Sequence, residues 1–192
     1  MSNIITSSKH LTAAELDHLL GLLLPDNTRN ACYLQLLVET GCRPSEALAI
    51  KLSDLYLSTS SVLLRGLKGS RDRQMPLSAN LASKLTNLIS QLDTASGAAD
   101  AKLFTFGYHT ARRIWLYYRP VEKSLKSTRH SFAIDLYAAS KDIQLVKSCL
   151  GHVSINSTMV YAEYSYSINE RHKALASGSA GWRNYGSKKK TS

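Results

Sequence analysis

The hydrophobic period of this chain changes twice, and those two changes decide its fold class. Up to about Ile50 the apolar residues recur at helical spacing. Thr12-Ala-Ala-Glu15 forms a capping box, with Leu16, Leu19, Leu20 and Leu23 behind it on one face until Pro25 ends the run. A second helix is predicted from about Thr28 to Glu39, burying Cys32, Leu36 and Leu37, with Gly41 just past its end as C-cap. Pro44 suits the first turn of a third helix through about Ile50. From Asp54 the period shortens. Leu55 and Leu57, then Ser61 to Leu64, then Gln74 to Leu77 read as two or three short strands, the last two joined by the charged turn Lys68-Gly69-Ser70-Arg71-Asp72-Arg73. Helical spacing returns over residues 79–92, and residues 93–101 are small and polar, as in a surface loop. A basic helix follows from about His109 to Tyr118, broken by Pro120, and three more span about Ser127 to Ala139, Ile143 to Leu150 and Asn156 to Tyr164. The expected fold is mainly α with a small antiparallel β-sheet inserted early (α+β). It occupies residues 11–178, between a loose lead-in over 1–10 and a flexible basic tail over 179–192.

A chain of 192 residues is long enough for one well-buried core. Its 24 Lys and Arg against 14 Asp and Glu give a formal charge of +10, which favours a polyanionic partner, although a basic surface without such a partner fits the charge equally well. The three cysteines, Cys32, Cys42 and Cys149, are odd in number and widely spaced, so they imply no disulfide framework. Apolar runs such as Leu19 to Leu24 are far too short to cross a bilayer, and the N-terminus lacks a signal-peptide pattern. The expectation is a cytoplasmic protein of bacterial, phage or plasmid type with no membrane partner.

Two regions concentrate chemistry. Between Lys126 and Tyr164 lie Arg129-His130, Leu150-Gly151-His152, and Tyr161 nine residues beyond His152. A guanidinium, an imidazole and a phenol are the parts needed to attack a phosphodiester without a metal. Upstream, Thr40-Gly41-Cys42-Arg43-Pro44-Ser45-Glu46 puts an arginine in a glycine turn before a helix, where its planar fork can take two phosphate oxygens. Glu46, one turn on, can steady that arginine or a catalytic neighbour. Taken alone, a surface Arg43–Glu46 ion pair is the stronger reading of that segment.

In order and spacing, Thr40 to Glu46, Lys68 before Met75-Pro76-Leu77, Arg129-His130-Ser131-Phe132-Ala133, Leu150-Gly151-His152 and Tyr161 together resemble the tyrosine recombinase (phage integrase) family, over about residues 10–168. The resemblance implies the catalytic-domain fold of that family. It also implies cleavage and rejoining of DNA strands through a covalent 3′-phosphotyrosine, with no metal, nucleotide or other cofactor. Tyr161 would be the nucleophile, with Tyr164 as the fallback. Arg43 and Arg129 would hold the non-bridging oxygens, His152 would hydrogen-bond the phosphate, and Lys68 would protonate the leaving 5′ oxygen. Arg71, Arg73, Arg112 and Arg113 are expected at the DNA. His130 reads as structural.

Where the family usually has histidine, three residues before its second arginine, this chain has Lys126. An ammonium can meet phosphate as a point charge but leaves proton removal from Tyr161 less clearly assigned. The sequence also begins at the first helix of the catalytic domain, so the N-terminal domain that closes the family's clamp on DNA is expected to be absent from it, either because it is a fragment or because it resembles the short single-domain members. Weaker phosphate grip and stronger salt dependence should follow. Partners implied are double-stranded DNA, further copies of the chain in a tetrameric synapse, and accessory DNA-bending proteins. Two rivals share the fold: a non-catalytic DNA-binding regulator of recombination, and a type IB topoisomerase-like relaxing enzyme. A zinc half-site of Cys149 and His152 has no second half at metal spacing.

Overall fold

The computed structural model describes residues 9–67, 69–91 and 98–165. Its first helix, α1 (Ala13–Leu23), starts where the capping box requires: the Thr12 hydroxyl accepts from the Glu15 amide, and the Glu15 carboxylate accepts from the Thr12 amide. Helix α2 (Arg29–Thr40) is capped by Thr28 and ends on Gly41 in the left-handed conformation, φ 59°. It buries every residue from Ala31 to Leu37, because α1, α4 (Ala79–Ser90) and α6 (Ser127–Ser140) all pack against it.

Helix α3 is only Pro44–Ala47, shorter than the spacing predicts. The chain tightens there into bonds from the Ala49 amide to Glu46 O and from the Ile50 amide to Ala47 O, which turns Ile50 inward to 2% exposure. The Ile50 carbonyl then accepts from the Leu103 amide, a tertiary pairing that a continuing helix would forbid. Strands β1 (Leu55–Tyr56), β2 (Ser61–Leu64) and β3 (Arg73–Pro76) form an antiparallel meander, with Val62 opposite Met75 and Leu64 opposite Arg73. Leu57, expected in the first strand, falls in a 3-10 turn that closes on Ser60 at φ 45°. Strand alternation in β3 turns Arg73 and Met75 inward and leaves Gln74 and Pro76 outward.

The remaining helices are α5 (Tyr108–Tyr118), α7 (Ile143–Leu150) and α8 (Asn156–Ser165). Helix α6 lies between the main core and a smaller one built from Ala133, Tyr137, Val146, Leu150, Tyr161 and Ala162, with Phe132 packed against both. A Cβ on Gly41 would fall 2.3 Å from Phe132 Cδ1, so that glycine serves both the left-handed turn and the close approach of α6. The lead-in differs from expectation at its end. His10 is 8% exposed, its ring meets Tyr164 edge-on at 4.8 Å, and the following Leu11 amide donates to Ser131 Oγ. Residues 1–8 and the expected tail lie outside the described residues. Among the described residues no helix is long and apolar enough to cross a membrane.

Candidate active site

The Gly41 turn at the end of α2 delivers Arg43 as the residue that opens α3. The Arg43 amide donates to Glu46 Oε2 and its Nη1 to Oε1, each at 2.9 Å. Glu46 is 1% exposed and also accepts from Arg73 Nη2 and Ser70 Oγ, both at 2.8 Å. Four donors thus fill the acceptor sites of one carboxylate. Burial alone would push the Glu46 carboxyl up, but the Arg73 bond and the other donors overrule it and hold the pKa at about 2. Glu46 is a fixed anion that aims Arg43.

Arg73 corrects the expectation of a DNA-backbone contact. It is 8% exposed, pairs with Glu46, and donates from Nε to the Cys149 carbonyl at 2.6 Å. The period-2 alternation with Met75 is the signal that placed it inside. Its effect is to tie the β2–β3 loop to the end of α7. Gly151 allows this: at φ 68° it caps α7, and a Cβ there would sit 2.7 Å from Arg73 Nη1 and 2.9 Å from Arg71 O.

Arg129, in the first turn of α6, reaches across the same seam. Its Nη1 donates to Gly41 O and its Nη2 to Leu150 O, each at 2.8 Å, while Nη2 also lies 3.0 Å from His152 Nε2. Burial, then the nearby Arg43, lower its pKa to about 10, so the guanidinium stays charged at neutral pH. His152 is pushed down to about 4 by burial and by Arg129, Arg43 and Arg73, and is therefore neutral. With Arg129 donating to Nε2, the ring proton belongs on Nδ1, which faces Thr158 Oγ1 at 2.9 Å. Both ring nitrogens are occupied, which leaves neither for a zinc half-site with Cys149.

Tyr161, on α8, is 3% exposed, and its hydroxyl lies 3.1 Å from His130 Nδ1. Burial raises the phenol pKa, while Arg129 and Arg43 pull against that rise. Lys126 stands exposed at the start of α6, one turn before His130, whose amide donates to Lys126 O. The fold therefore gathers Arg43, Lys126, Arg129, His152 and Tyr161 around one open cleft of about 850 Å³, also lined by Lys9, Tyr108 and His130.

Lys68 lies outside the described residues. Its loop neighbour Ser70 is joined to Glu46. Arg71, Arg112 and Arg113 are exposed, the last two on α5, whose first residue Tyr108 borders the cleft. Sequence reasoning passed over Ser70, Thr158 and the contact of His130 with Tyr161. For His130 a signal existed, since four residues after Lys126 on a helix is the same face. Chemically, the cleft offers fixed guanidinium donors and a buried phenol to a phosphodiester-sized anion.

The sequence model of the phage integrase family matches residues 9–167. A tyrosine recombinase XerC from Roseiflexus sp. (strain RS-1) is 32% identical over 176 residues, which cover 81% of this chain and 55% of that protein. The chain spans about half the length of such relatives. Among solved structures, XerH site-specific recombinase bound to difH substrate, a pre-cleavage complex, superposes with TM-score 0.67 at 28% identity, covering 90% of this chain and 56% of that one. The catalytic domain of bacteriophage HP1 integrase shares the fold with TM-score 0.61 at 24% identity, covering 87% of this chain and 94% of that domain. The five-part pattern in the sequence, the helical fold with its three-stranded meander and the match over 9–167 converge: the chain belongs to the phage integrase family.

Proposed function

We propose that this chain is the strand-cleaving and strand-rejoining part of a site-specific DNA recombinase, with Tyr161 as nucleophile. The observation that carries this reading is the placement of the Tyr161 phenol in one cleft with Arg43 and Arg129. In the proposed reaction the two guanidinium groups take the non-bridging oxygens and offset the charge that builds as phosphorus becomes five-coordinate. Lys126 adds a positive charge at the mouth of the cleft. His152, in the tautomer protonated on Nε2, turns from Arg129 and donates to the phosphate, and Lys68 gives its proton to the leaving 5′ oxygen. Glu46 and Arg73 keep Arg43 and the α7 end in register. Double-stranded DNA is the partner, cut in the cytoplasm of a bacterial, phage-bearing or plasmid-bearing cell, and further copies of the chain assemble on it.

The test is covalent capture. The protein is incubated with a pool of nicked duplexes drawn from its own genetic neighbourhood, denatured, and the DNA that stays attached is sequenced. Attachment is expected at a defined sequence and lost in Tyr161→Phe. Attachment that survives Tyr161→Phe overturns the nucleophile. Sequence-specific binding with no attachment would identify a non-catalytic regulator, and supercoil relaxation without exchanged products would identify a topoisomerase-like enzyme.

A further inference from the structure

Breaking the bond from phosphorus to the 5′ oxygen needs two proton movements, one onto the leaving oxygen and one off the attacking phenol. The described side chains of the cleft narrow the choice for the second. Arg43, Arg129 and the ammonium groups of Lys9 and Lys126 are donors and have no lone pair to offer. His152 Nε2 faces Arg129 here and is given to the phosphate in the proposed reaction, and its other nitrogen faces Thr158 Oγ1. Glu46 has all four acceptor positions filled and is sealed from the cleft. His130 Nδ1 lies 3.1 Å from the Tyr161 hydroxyl, within reach for direct transfer.

We propose that His130 is the base that takes the phenolic proton of Tyr161. This rests on Tyr161 being the nucleophile. As the Tyr161 oxygen bonds to phosphorus and the bond to the 5′ oxygen breaks, the phenolic proton passes to His130 Nδ1, and the leaving oxygen takes a proton from Lys68. In rejoining, the 5′ hydroxyl returns its proton to Lys68 as its oxygen attacks phosphorus, the bond from phosphorus to the Tyr161 oxygen breaks, and His130 returns its proton to the leaving phenolate. No oxidant, metal or added reactant enters either step.

The surroundings of His130 keep it ready to accept. Burial lowers its pKa, and so do the positive charges of Arg129, Lys9 and Lys126 and the neighbouring His10 ring. These groups come from α6 and from the lead-in packed beside it, and Tyr161 meets the ring from α8. The imidazole is therefore neutral at neutral pH, and in the tautomer protonated on Nε2 its Nδ1 lone pair faces the phenol proton. Helix geometry puts His130 on the face of Lys126, one turn deeper. The lysine is left to meet phosphate, and the imidazole to meet the phenol.

Single-turnover attachment to a captured suicide duplex, followed against pH, tests this. His130→Asn is the informative variant, because its amide oxygen can hold the Tyr161 hydroxyl near the Nδ1 position but cannot take its proton. Attachment should slow about 10²- to 10⁴-fold at neutral pH. Its rate should then climb with pH toward phenol ionisation, whereas the wild type should fall off only below the ordinary histidine range. A substrate with sulfur in place of the bridging 5′ oxygen, which leaves without a proton, should restore Lys68→Ala and leave His130→Asn slow. Restoration of His130→Asn by that substrate would move the residue to the leaving group. A rate within about threefold of wild type with an unchanged pH profile would reduce it to a spacer. Duplex binding and melting of each variant report folding separately. Attachment that persists in Tyr161→Phe would instead sink the nucleophile on which this inference rests.

Discussion

Arg73 Nη2 donates to Glu46 Oε2 across 2.8 Å, and both side chains are sealed from water. A buried pair of this kind is costly to break from one side, since the survivor keeps its charge and loses its partner. Glu46→Ala strands Arg73 and also frees Arg43, so a loss of about 3–5 kcal/mol in urea unfolding is expected. Arg73→Met removes the charge with its partner left behind and should destabilise comparably, while leaving the salt dependence of DNA binding alone. An Arg73→Met protein of normal stability with a flattened salt dependence would return Arg73 to the DNA surface.

Arg129→Lys separates shape from charge. The guanidinium spans the Gly41 and Leu150 carbonyls with two nitrogens and meets His152 as well, a geometry that a point ammonium cannot reproduce. Attachment to DNA should fall by about 10²-fold or more, as when a preorganised donor is removed from a transition state. Affinity should change little, because one phosphate contact is a small share of the total. Equal losses in binding and attachment would mark Arg129 as a structural clamp between α2 and α7.

Much of this site was legible in the sequence because it is built at helix ends. Thr12, Thr28, Gly41 and Gly151 are chemical punctuation, and each stands where a cap forms. The short α3 was not legible, since its end is set by the pairing of Ile50 with Leu103, far along the chain. The burial of Arg73 depended on which face of a four-residue strand met the core, a choice that charge argued against and register decided. His130 looked structural because its partner is on another helix, 31 residues away.

Acid should weaken the fold in two stages. The unfolded chain protonates its histidines near the ordinary 6.5, whereas folded His152 holds out to about 4. Between these values the unfolded state binds more protons, so stability falls as pH falls through that interval. Glu46, ordinarily 4.5 and here about 2, extends the loss from 4.5 down toward 2. His152→Gln should flatten the first stage by roughly 1–2 kcal/mol, a figure reduced for the partial exposure of the ring. Melting temperatures recorded at closely spaced pH values would show this, and a variant as acid-sensitive as wild type above pH 4.5 would contradict it.

Salt dependence should report which arginines meet the DNA backbone. Arg71 is exposed in the β2–β3 loop, and Arg112 and Arg113 are exposed on α5. For each phosphate that a variant no longer neutralises, the slope of log affinity against log salt should shrink by about 0.9. Removing all three should change it by about 2–3 if each sits on a phosphate. A slope unchanged in the triple variant would place the DNA elsewhere.

The packing between Gly41 and Phe132 links fold to chemistry most directly. Gly41→Ala must hold a left-handed φ of 59° and push its new Cβ against Phe132 Cδ1. The conformation costs about 1–2 kcal/mol and the overlap adds to it. Because the Gly41 carbonyl also anchors Arg129 Nη1, any shift of this turn moves the guanidinium. Strand attachment should therefore drop further than stability or DNA binding does. Phe132→Leu vacates the space beside the turn, so the double variant should regain part of the loss, as coupled neighbours do in a double-mutant cycle. Strictly additive effects, or a Gly41→Ala protein that melts and cleaves like wild type, would show that this seam does not position Arg129.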